Sequence, residues 1–141
     1  MRLTTYTDYA LRLLIHLAVN DEKICAISEV SAAYGVSQHH LTKVAHGLVK
    51  DGYVASVRGR AGGLRLARHA SAINVGDVVR HTEDRLDLVD CGSCVIAPAC
   101  GLTGVLGQAM AAFMAVLDRT TLADIANKRN GLRALLETGP A

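Results

Sequence analysis

The sequence predicts a mainly α-helical protein with a small β-hairpin wing, in which a winged helix-turn-helix domain precedes a long dimerisation helix. Three patterns support this fold class: two amphipathic helices joined by a short turn that contains glycine, a glycine-rich hairpin directly after them, and a later apolar repeat with coiled-coil spacing. The length of 141 residues suits one small domain with an appendage and excludes a multidomain enzyme.

The composition supports a packed core and an uneven distribution of charge. Half of the residues are hydrophobic, 20% are charged and the mean hydropathy is +0.25, which is not the composition of a disordered chain. Residues 1–70 contain nine Lys and Arg against five Asp and Glu, whereas residues 71–141 contain six against eight. A basic first half is typical of a domain that meets a polyanion.

Three helices are predicted in the first half. In Thr5–Val19 the apolar residues recur at the i, i+3 and i+4 spacing of a helix with one buried face. Ile27–Tyr34 is a short helix that ends at Gly35, and Ser37–Asp51 is the next helix, with Ser37 as its N-cap. Helix, turn and helix in this order predict a helix-turn-helix motif.

A wing is predicted directly after this motif. Tyr53–Val57 and Leu64–Ala67 are short alternating segments, and residues 58–63 between them have the sequence RGRAGG, which is typical of a hairpin tip. A further short helix is predicted at Ile73–Thr82, with Asn74 as its N-cap.

The polar face of the second motif helix and the basic wing predict DNA binding. A helix of this length fits the major groove, and wing arginines can enter the neighbouring minor groove. The alternative to DNA binding is that the polar face only contacts solvent and the glycine-rich segment is only a tight hairpin. The candidate contacts are Ser37, Gln38, His39, His40, Thr42 and Lys43 on the helix, and Arg58 and Arg60 on the wing.

The second half is predicted to mediate dimerisation. Within the predicted helix Leu102–Leu117, steps of four and three residues separate Leu102, Leu106, Ala109, Phe113 and Val116, which is the seam spacing of a coiled coil. A last helix is predicted at Leu122–Lys128. The predicted domains are therefore 1–82 for DNA binding, 83–101 for a cysteine loop, and 102–141 for the dimerisation helix and the C-terminal helix.

The uncharged stretch at residues 95–117 is not predicted to span a membrane. Pro98 and Gly101 interrupt it, and Leu102–Leu117 is shorter than the ~20 residues that a spanning helix needs. The amino terminus lacks the pattern of a signal peptide. We therefore expect a cytoplasmic protein without a membrane partner.

Three cysteines in ten residues predict a metal centre. Cys91, Cys94 and Cys100 follow one another with two and five residues between them, and disulfides are rare in a reducing cytosol. The spacing does not separate zinc from an iron–sulfur cluster, and the site is one ligand short. Cys25 is expected to serve in packing. Asp8 is expected to pair with Arg12 at i+4 in the first turns of its helix.

Four segments carry a family resemblance. They are the opening MRLTTYTDYALRLLIHLA, the helix segment VSQHHLTKVAHGLVKDGYV, the wing VRGRAGGLRLA, and the cysteine loop followed by a long helix that ends in LDRTTLADI. Together they resemble the NsrR family of nitric-oxide-sensing repressors, which belongs to a wider group of iron–sulfur winged-helix regulators that includes IscR and RirA. The resemblance covers nearly the whole chain.

The resemblance implies a homodimeric repressor that binds a double-stranded DNA operator with dyad symmetry and responds to nitric oxide. It also implies an iron–sulfur cluster, 4Fe-4S first and 2Fe-2S second, bound by Cys91, Cys94 and Cys100 with Asp8 of the partner subunit as fourth ligand. IscR instead uses a histidine three residues after its last cysteine, where this chain has Thr103. The two residues between Cys91 and Cys94 are fewer than the four or five typical of the family, which bears on the cluster type and the fourth ligand.

Three alternatives stay open at this stage. They are a winged-helix regulator that uses zinc or thiol oxidation, an iron-responsive regulator of the same group, and a small electron-transfer protein without a DNA function. Catalysis is not indicated, because the sequence contains neither a nucleophile paired with a base in a characteristic motif nor a glycine-rich nucleotide loop. We predict that the protein is not an enzyme.

Overall fold

Helix α1 (Thr5–Val19) lies at the centre of the fold, which the computed structural model describes for residues 1–140. Thr4 caps the helix, because its hydroxyl accepts a hydrogen bond from the backbone N–H of Thr7. The apolar face that the sequence predicts is fully buried at Leu13 and Leu14. Most of the remaining elements pack around this helix.

The helix-turn-helix consists of α2 (Ile27–Tyr34) and α3 (Gln38–Lys50). Gly35 ends α2 with a φ of 64°, in the left-handed region where glycine has no steric penalty. Ser37 caps α3 by accepting a hydrogen bond from the backbone N–H of His40. Both predicted boundary residues are confirmed.

The wing is an antiparallel hairpin of β1 (Val54–Val57) and β2 (Gly63–Leu66), and the first residue of β1 pairs with the last of β2. Both strands lie within one residue of their predicted bounds. Cys25, in the segment between α1 and α2, exchanges two backbone hydrogen bonds of 2.9 and 2.8 Å with Leu64. The wing is thereby anchored to the segment that precedes the helix-turn-helix.

Helix α4 (Val75–Thr82) follows a 3-10 helix at Ala70–Ala72, and Asn74 caps it as predicted. A loop with a second 3-10 helix at Ala97–Ala99 then leads to α5 (Leu102–Asp118). Within α5, Met114 is the buried residue. The long helix therefore packs mainly along one line against the rest of its own chain.

The predicted last helix Leu122–Lys128 is wrong in extent. Helix α6 (Leu122–Ile125) is shorter, because Leu122 and Ala126 are held in the core and the chain turns after them. Helix α7 (Arg129–Thr138), which the sequence analysis did not predict, packs on α1 and α2. Its apolar side is made by Leu132 and Leu136, which stand four residues apart, as on one face of a helix, and pack against the core.

The core is aliphatic and lies within the winged-helix body, which we define as α1 to α4 with the wing, together with α6. Its largest fully buried side chains are Leu13, Leu14, Leu17, Leu41, Leu48, Tyr53, Ile73 and Leu122. Within residues 1–140, no helix combines the length and the apolar character that crossing a membrane requires. The predicted fold class, mainly α with a hairpin wing, is confirmed; the predicted domain ranges stay a prediction.

Candidate metal centre and nucleic-acid interface

Helix α3 presents the predicted polar face to solvent. Gln38, His39, His40 and Lys43 are exposed, whereas Leu41 one step away is fully buried. This division follows from the helical period, which places the apolar stripe of α3 against α1 and the polar residues on the opposite side. The exposed groups include amide, imidazole and ammonium donors, which can hydrogen-bond base edges or phosphates.

Two predicted contacts on α3 already have partners within the chain. The Ser37 hydroxyl caps the helix, and the Thr42 hydroxyl donates to the backbone carbonyl of Gln38 at 2.8 Å. The ring of His40 lies 6.3 Å from that of Tyr9. Gln38, His39, His40 and Lys43 are exposed and their side chains remain available.

The wing tip places both predicted arginines in solvent. Arg58 and Arg60 are exposed on either side of Gly59, whose φ of 107° is a conformation that favours glycine. A Cβ at Gly62 would collide with the carbonyl oxygens of Val57 and Gly59, so the tip needs glycine there as well. The tight turn projects two guanidinium groups from one point of the surface.

Two further basic residues of the wing were not among the predicted contacts. Arg65 is exposed in β2, and Arg68 follows the strand with its guanidinium 4.8 Å from the ring centroid of Tyr53. No Asp or Glu occurs in residues 52–76. The alternation of Leu64, Arg65 and Leu66 is the signal that could have identified Arg65, since neighbours in a strand point to opposite faces.

Asp8 lies half-exposed in the first turn of α1 and forms the predicted ion pair with Arg12. Arg12 Nε donates to Asp8 Oδ1 at 2.9 Å, and the two side chains are 43% and 45% exposed. The hydrogen bond from Arg12 to Asp8 raises the pKa of Arg12. A surface pair of this kind contributes about 0–1 kcal/mol, so the carboxylate can exchange Arg12 for a stronger partner.

Helix α1 also links Asp8 to helix α3. Two residues before Asp8, the Tyr6 hydroxyl lies against Gly47 in α3, and a Cβ at Gly47 would require the 37% exposed Tyr6 side chain to move. A displacement of the first turn of α1 would therefore change the contact of Tyr6 with α3.

The three predicted cysteine ligands lie on successive turns of one loop. The backbone N–H groups of Cys94, Ala97 and Cys100 donate to the carbonyls of Cys91, Cys94 and Ala97 at 3.3, 3.2 and 3.4 Å. Residues three apart lie above one another in such turns, and the cysteines stand at multiples of three.

All four cysteines of the chain are free thiols. Cys94 is exposed, Cys91 and Cys100 are half-buried, and Cys91 Sγ lies 3.3 Å from the Thr103 hydroxyl. Cys25 is fully buried, as expected, and burial raises the pKa of its thiol to about 11. The accessible thiols therefore belong to the loop.

Three neighbouring surface recesses between Asp8 and the loop share lining residues. Cys91 borders a cavity of about 460 Å³ together with Leu86 and Met110, and these two residues also border a second cavity with Leu3. Leu3 in turn borders the recess at Asp8. Within one chain, however, the structure does not bring Asp8 and the three cysteines into a group with donor atoms within 4.8 Å.

A second set of metal-binding residue types was not predicted from the sequence. The donor atoms of His16, Cys25 and Glu29 all lie within 4.8 Å of one another. Their spacings of nine and four residues match no familiar ligand motif. Only the packing of α1 against the start of α2 brings them together.

The chain matches the model of a known protein family. Residues 3–128 match Rrf2, whose description is an iron-dependent transcriptional regulator. The HTH-type transcriptional regulator NsrR of Shouchella clausii is 46% identical over 143 residues, which cover 97% of this chain and 96% of that relative. NsrR of Bacillus subtilis is 43% identical over 143 residues, which cover 97% and 98%.

Solved structures show the same architecture. CymR, the global cysteine regulator of B. subtilis, superposes with a TM-score of 0.77 at 28% identity, covering 91% of this chain and 98% of that one. IscR of T. potens superposes with a TM-score of 0.76 at 28% identity, covering 91% and 88%.

Proposed function

The chain belongs to the Rrf2 family of transcriptional regulators, and from this premise we propose that it represses transcription at a DNA operator and senses nitric oxide through an iron–sulfur cluster. It is not an enzyme, since its relatives are named as transcriptional regulators. The observation that carries the proposal is the loop at residues 91–100, where three free thiols stand on successive turns between the winged-helix body and α5.

Cys91, Cys94 and Cys100 would hold the cluster, and Asp8 of the partner subunit would complete its coordination. The thiols have the donor chemistry that iron–sulfur clusters require, and an oxygen ligand can stand in for a fourth cysteine. Asp8 is half-exposed and held by one surface ion pair, which suits a ligand that must reach another chain. When bound, a 4Fe-4S cluster, or a 2Fe-2S cluster as the second possibility, supplies iron that reacts with nitric oxide.

Homodimerisation through α5 is proposed from its exposed apolar face. The predicted seam needs correction, since Leu106 and Phe113 are half-buried against their own chain. The exposed apolar row has the same steps of three and four and consists of Leu102, Val105, Ala109, Ala112 and Val116. An uncovered row of this length on a helix without charge before Asp118 is typical of a helix that packs on a second copy.

Helix α5 is fastened to the winged-helix body at its C-terminal end. Both terminal nitrogens of Arg80 in α4 donate to the Asp118 carboxylate, at 2.7 and 2.8 Å. Asn74 donates to the Asp118 carbonyl at 2.7 Å. This joint ties the end of α5 to α4, so a dimer formed through α5 would constrain the separation of its two recognition helices.

The DNA-binding surface proposed for each subunit combines α3 with the wing. Gln38, His39 and Lys43 would contact the major groove, while Arg58 and Arg60 would contact the backbone or minor groove. His40 would contribute through its exposed ring, and Ser37 and Thr42 through their backbone or through hydroxyls that first release their partners. Two copies related by a dyad would read an operator of matching symmetry, in the cytoplasm where the DNA is accessible.

Spectroscopy under anaerobic conditions tests the cluster and its effector together. We expect freshly purified or reconstituted protein to contain iron and sulfide, to absorb broadly in the visible range, and to lose that absorption on addition of nitric oxide. A matched variant with Cys94→Ser should stay colourless, whereas Cys25→Ser should keep the spectrum.

Other outcomes would select the alternatives. Colourless protein that also fails reconstitution would leave zinc or thiol chemistry for the loop cysteines and would end the nitric-oxide proposal. A cluster that ignores nitric oxide but dissociates when iron is chelated would identify an iron-responsive regulator. Neither outcome affects the DNA-binding surface, which a gel-shift assay tests separately.

A further inference from the structure

His16, Cys25 and Glu29 form a cluster of metal-binding residue types inside the winged-helix body. His16 lies in the last turn of α1, Cys25 in the segment that follows, and Glu29 in the first turn of α2. The imidazole nitrogen, the thiol sulfur and the carboxylate oxygen all lie within 4.8 Å of one another. None of the three belongs to the cysteine loop or to the DNA-binding face described above.

His16 has no hydrogen-bond partner for either ring nitrogen, although its side chain is only 3% exposed. A buried polar group without a partner is unfavourable and rare. The nearest carboxylate oxygen, Glu29 Oε1, lies 3.7 Å from Nε2, which is too far for a hydrogen bond. Burial lowers the pKa of His16, so the ring is neutral and has a lone pair to donate.

We propose that His16, Cys25 and Glu29 bind a single divalent transition-metal ion, with zinc as the best match. One nitrogen, one sulfur and one oxygen ligand with an open fourth position is a coordination set that zinc accepts. The present spacing requires only a small closure to reach zinc-bond distances. Binding releases the thiol proton of Cys25 to solvent, because the thiolate is the ligand.

An entry route exists on one side of the cluster. His16 and Glu29 line a surface cavity of about 520 Å³, which leaves room for a water ligand. Lys23 lies at the rim and donates to Glu29 Oε1 at 2.5 Å. Burial is the largest single influence and raises the pKa of Glu29, but the hydrogen bond and the charge of Lys23, together with His16, outweigh burial and lower the pKa overall. Because Lys23 is 47% exposed, it can turn into solvent and release the carboxylate to the metal.

The ion would brace three parts of the DNA-binding unit. Two ligands belong to α1 and α2, and Cys25 is tied by two backbone hydrogen bonds to Leu64 in the wing. Gly63 fits against the Cys25 carbonyl so closely that a side chain there would collide with it. A bound metal ion would therefore restrict movement of the wing relative to the helix-turn-helix. Cys25 would then be a metal ligand, whereas the sequence alone led us to expect a role in packing.

Cobalt titration tests this site without interference from the loop. In the full-length variant Cys91→Ser/Cys94→Ser/Cys100→Ser, kept anaerobic, we expect one equivalent of Co²⁺ to produce thiolate-to-cobalt charge-transfer absorption. Zn²⁺ should displace the cobalt. Adding Cys25→Ser should abolish the absorption. Glu29→Gln should weaken cobalt affinity by about 10-fold or more, because even the loss of a residue that only supports a ligand costs about 10–100-fold.

Glu137→Gln is the matched control, because Glu137 lines the same cavity but lies outside the donor set. It should bind cobalt like the parent variant. Absence of charge-transfer absorption, or absorption that survives Cys25→Ser, would overturn the proposal. Since Cys25 is fully buried, its replacement can unfold the chain, in which case equal cobalt affinities of Glu29→Gln and Glu137→Gln would overturn it. These results are independent of the loop cluster, whose ligands are absent from the tested protein.

Discussion

The winged-helix body and the region of the cysteine loop and α5 are stabilised in different ways. In the body, Leu13, Leu41 and Leu48 are fully buried, whereas in α5 Val105 is 61% and Val116 55% exposed. The body thus obtains its stability from its own core. The second region presents apolar surface and free thiols that nothing within residues 1–140 covers, so its order depends on what binds there.

The reach of the backbone hydrogen bonds shows the same contrast. In the body, Cys25 and Leu64 exchange two hydrogen bonds that join distant parts of the chain, whereas the turns of the cysteine loop join residues three apart. A loop held by local turns can adjust to a cluster and change when the cluster is lost, whereas the body should keep its shape throughout.

Truncation of a core residue should have the largest effect on stability. Leu48→Ala in α3 leaves a cavity in the core and should lower the free energy of unfolding by about 2–5 kcal/mol. Val105→Ala, at a protein concentration where the chain is monomeric, should lower it by less than about 0.5 kcal/mol. Urea unfolding measures both variants. Equal losses would show that α5 belongs to the same core as the body.

The second-largest effect should come from a charge on the exposed row of α5, which should disrupt the dimer. Val105→Glu places two like charges across the proposed interface, and we expect the dimer dissociation constant to rise about 100-fold or more. Analytical ultracentrifugation measures this constant. Ala111→Glu, on the same helix but outside the row, is the control. If both variants dimerise like the parent protein, α5 is not the interface.

Replacement of Asp8 should affect the cluster in the second region but not the stability of the body. Asp8→Ala removes one surface ion pair, so the free energy of unfolding should change by less than about 1 kcal/mol. The proposed loss of a cluster ligand should speed cluster dissociation by about 10-fold or more. Absorbance decay under a chelator measures the cluster, and urea unfolding measures the fold. An unchanged decay rate and an unchanged nitric-oxide response would exclude Asp8 as a ligand.

The wing arginines should give the smallest and most uniform effect. Arg58→Ala with Arg60→Ala should weaken binding to all DNA sequences and reduce the slope of log affinity against log salt by about 1 for each lost phosphate contact. Fluorescence anisotropy at several salt concentrations measures the slope. Arg119→Ala, exposed at the end of α5, should leave it unchanged. A slope that is the same in all three proteins would remove the wing from the interface.

The sequence predicts the body better than the second region, for a physical reason. Helix periodicity, the N-caps Ser37 and Asn74 and the stop at Gly35 are local signals, and the structure confirms each of them. In α5 the apolar residues surround the helix, so spacing did not distinguish the row that faces its own chain from the exposed row. Helix α7 was missed because its order comes from tertiary contacts.

Besides the packing of Leu132 and Leu136 on the core, those tertiary contacts are ion pairs with the segment that follows α1. Arg129 donates to the carboxylate of Asp21, and Arg133 donates to Glu22 at 2.9 Å and to the Val19 carbonyl at 2.6 Å. No pattern in residues 129–138 alone indicates them. The cluster of His16, Cys25 and Glu29 was missed for the same reason, since its members become neighbours only when α1 meets α2.

The central claim is that the state of the loop cysteines controls DNA binding by a body that itself stays folded. Its most direct test is the affinity of cluster-loaded protein for a duplex selected from a random pool, measured anaerobically before and after nitric oxide, with far-ultraviolet circular dichroism on the same samples. We predict at least about a tenfold loss of affinity, or 1.4 kcal/mol, with an unchanged helical spectrum. Equal affinities before and after nitric oxide, or a loss that coincides with unfolding, would contradict the account.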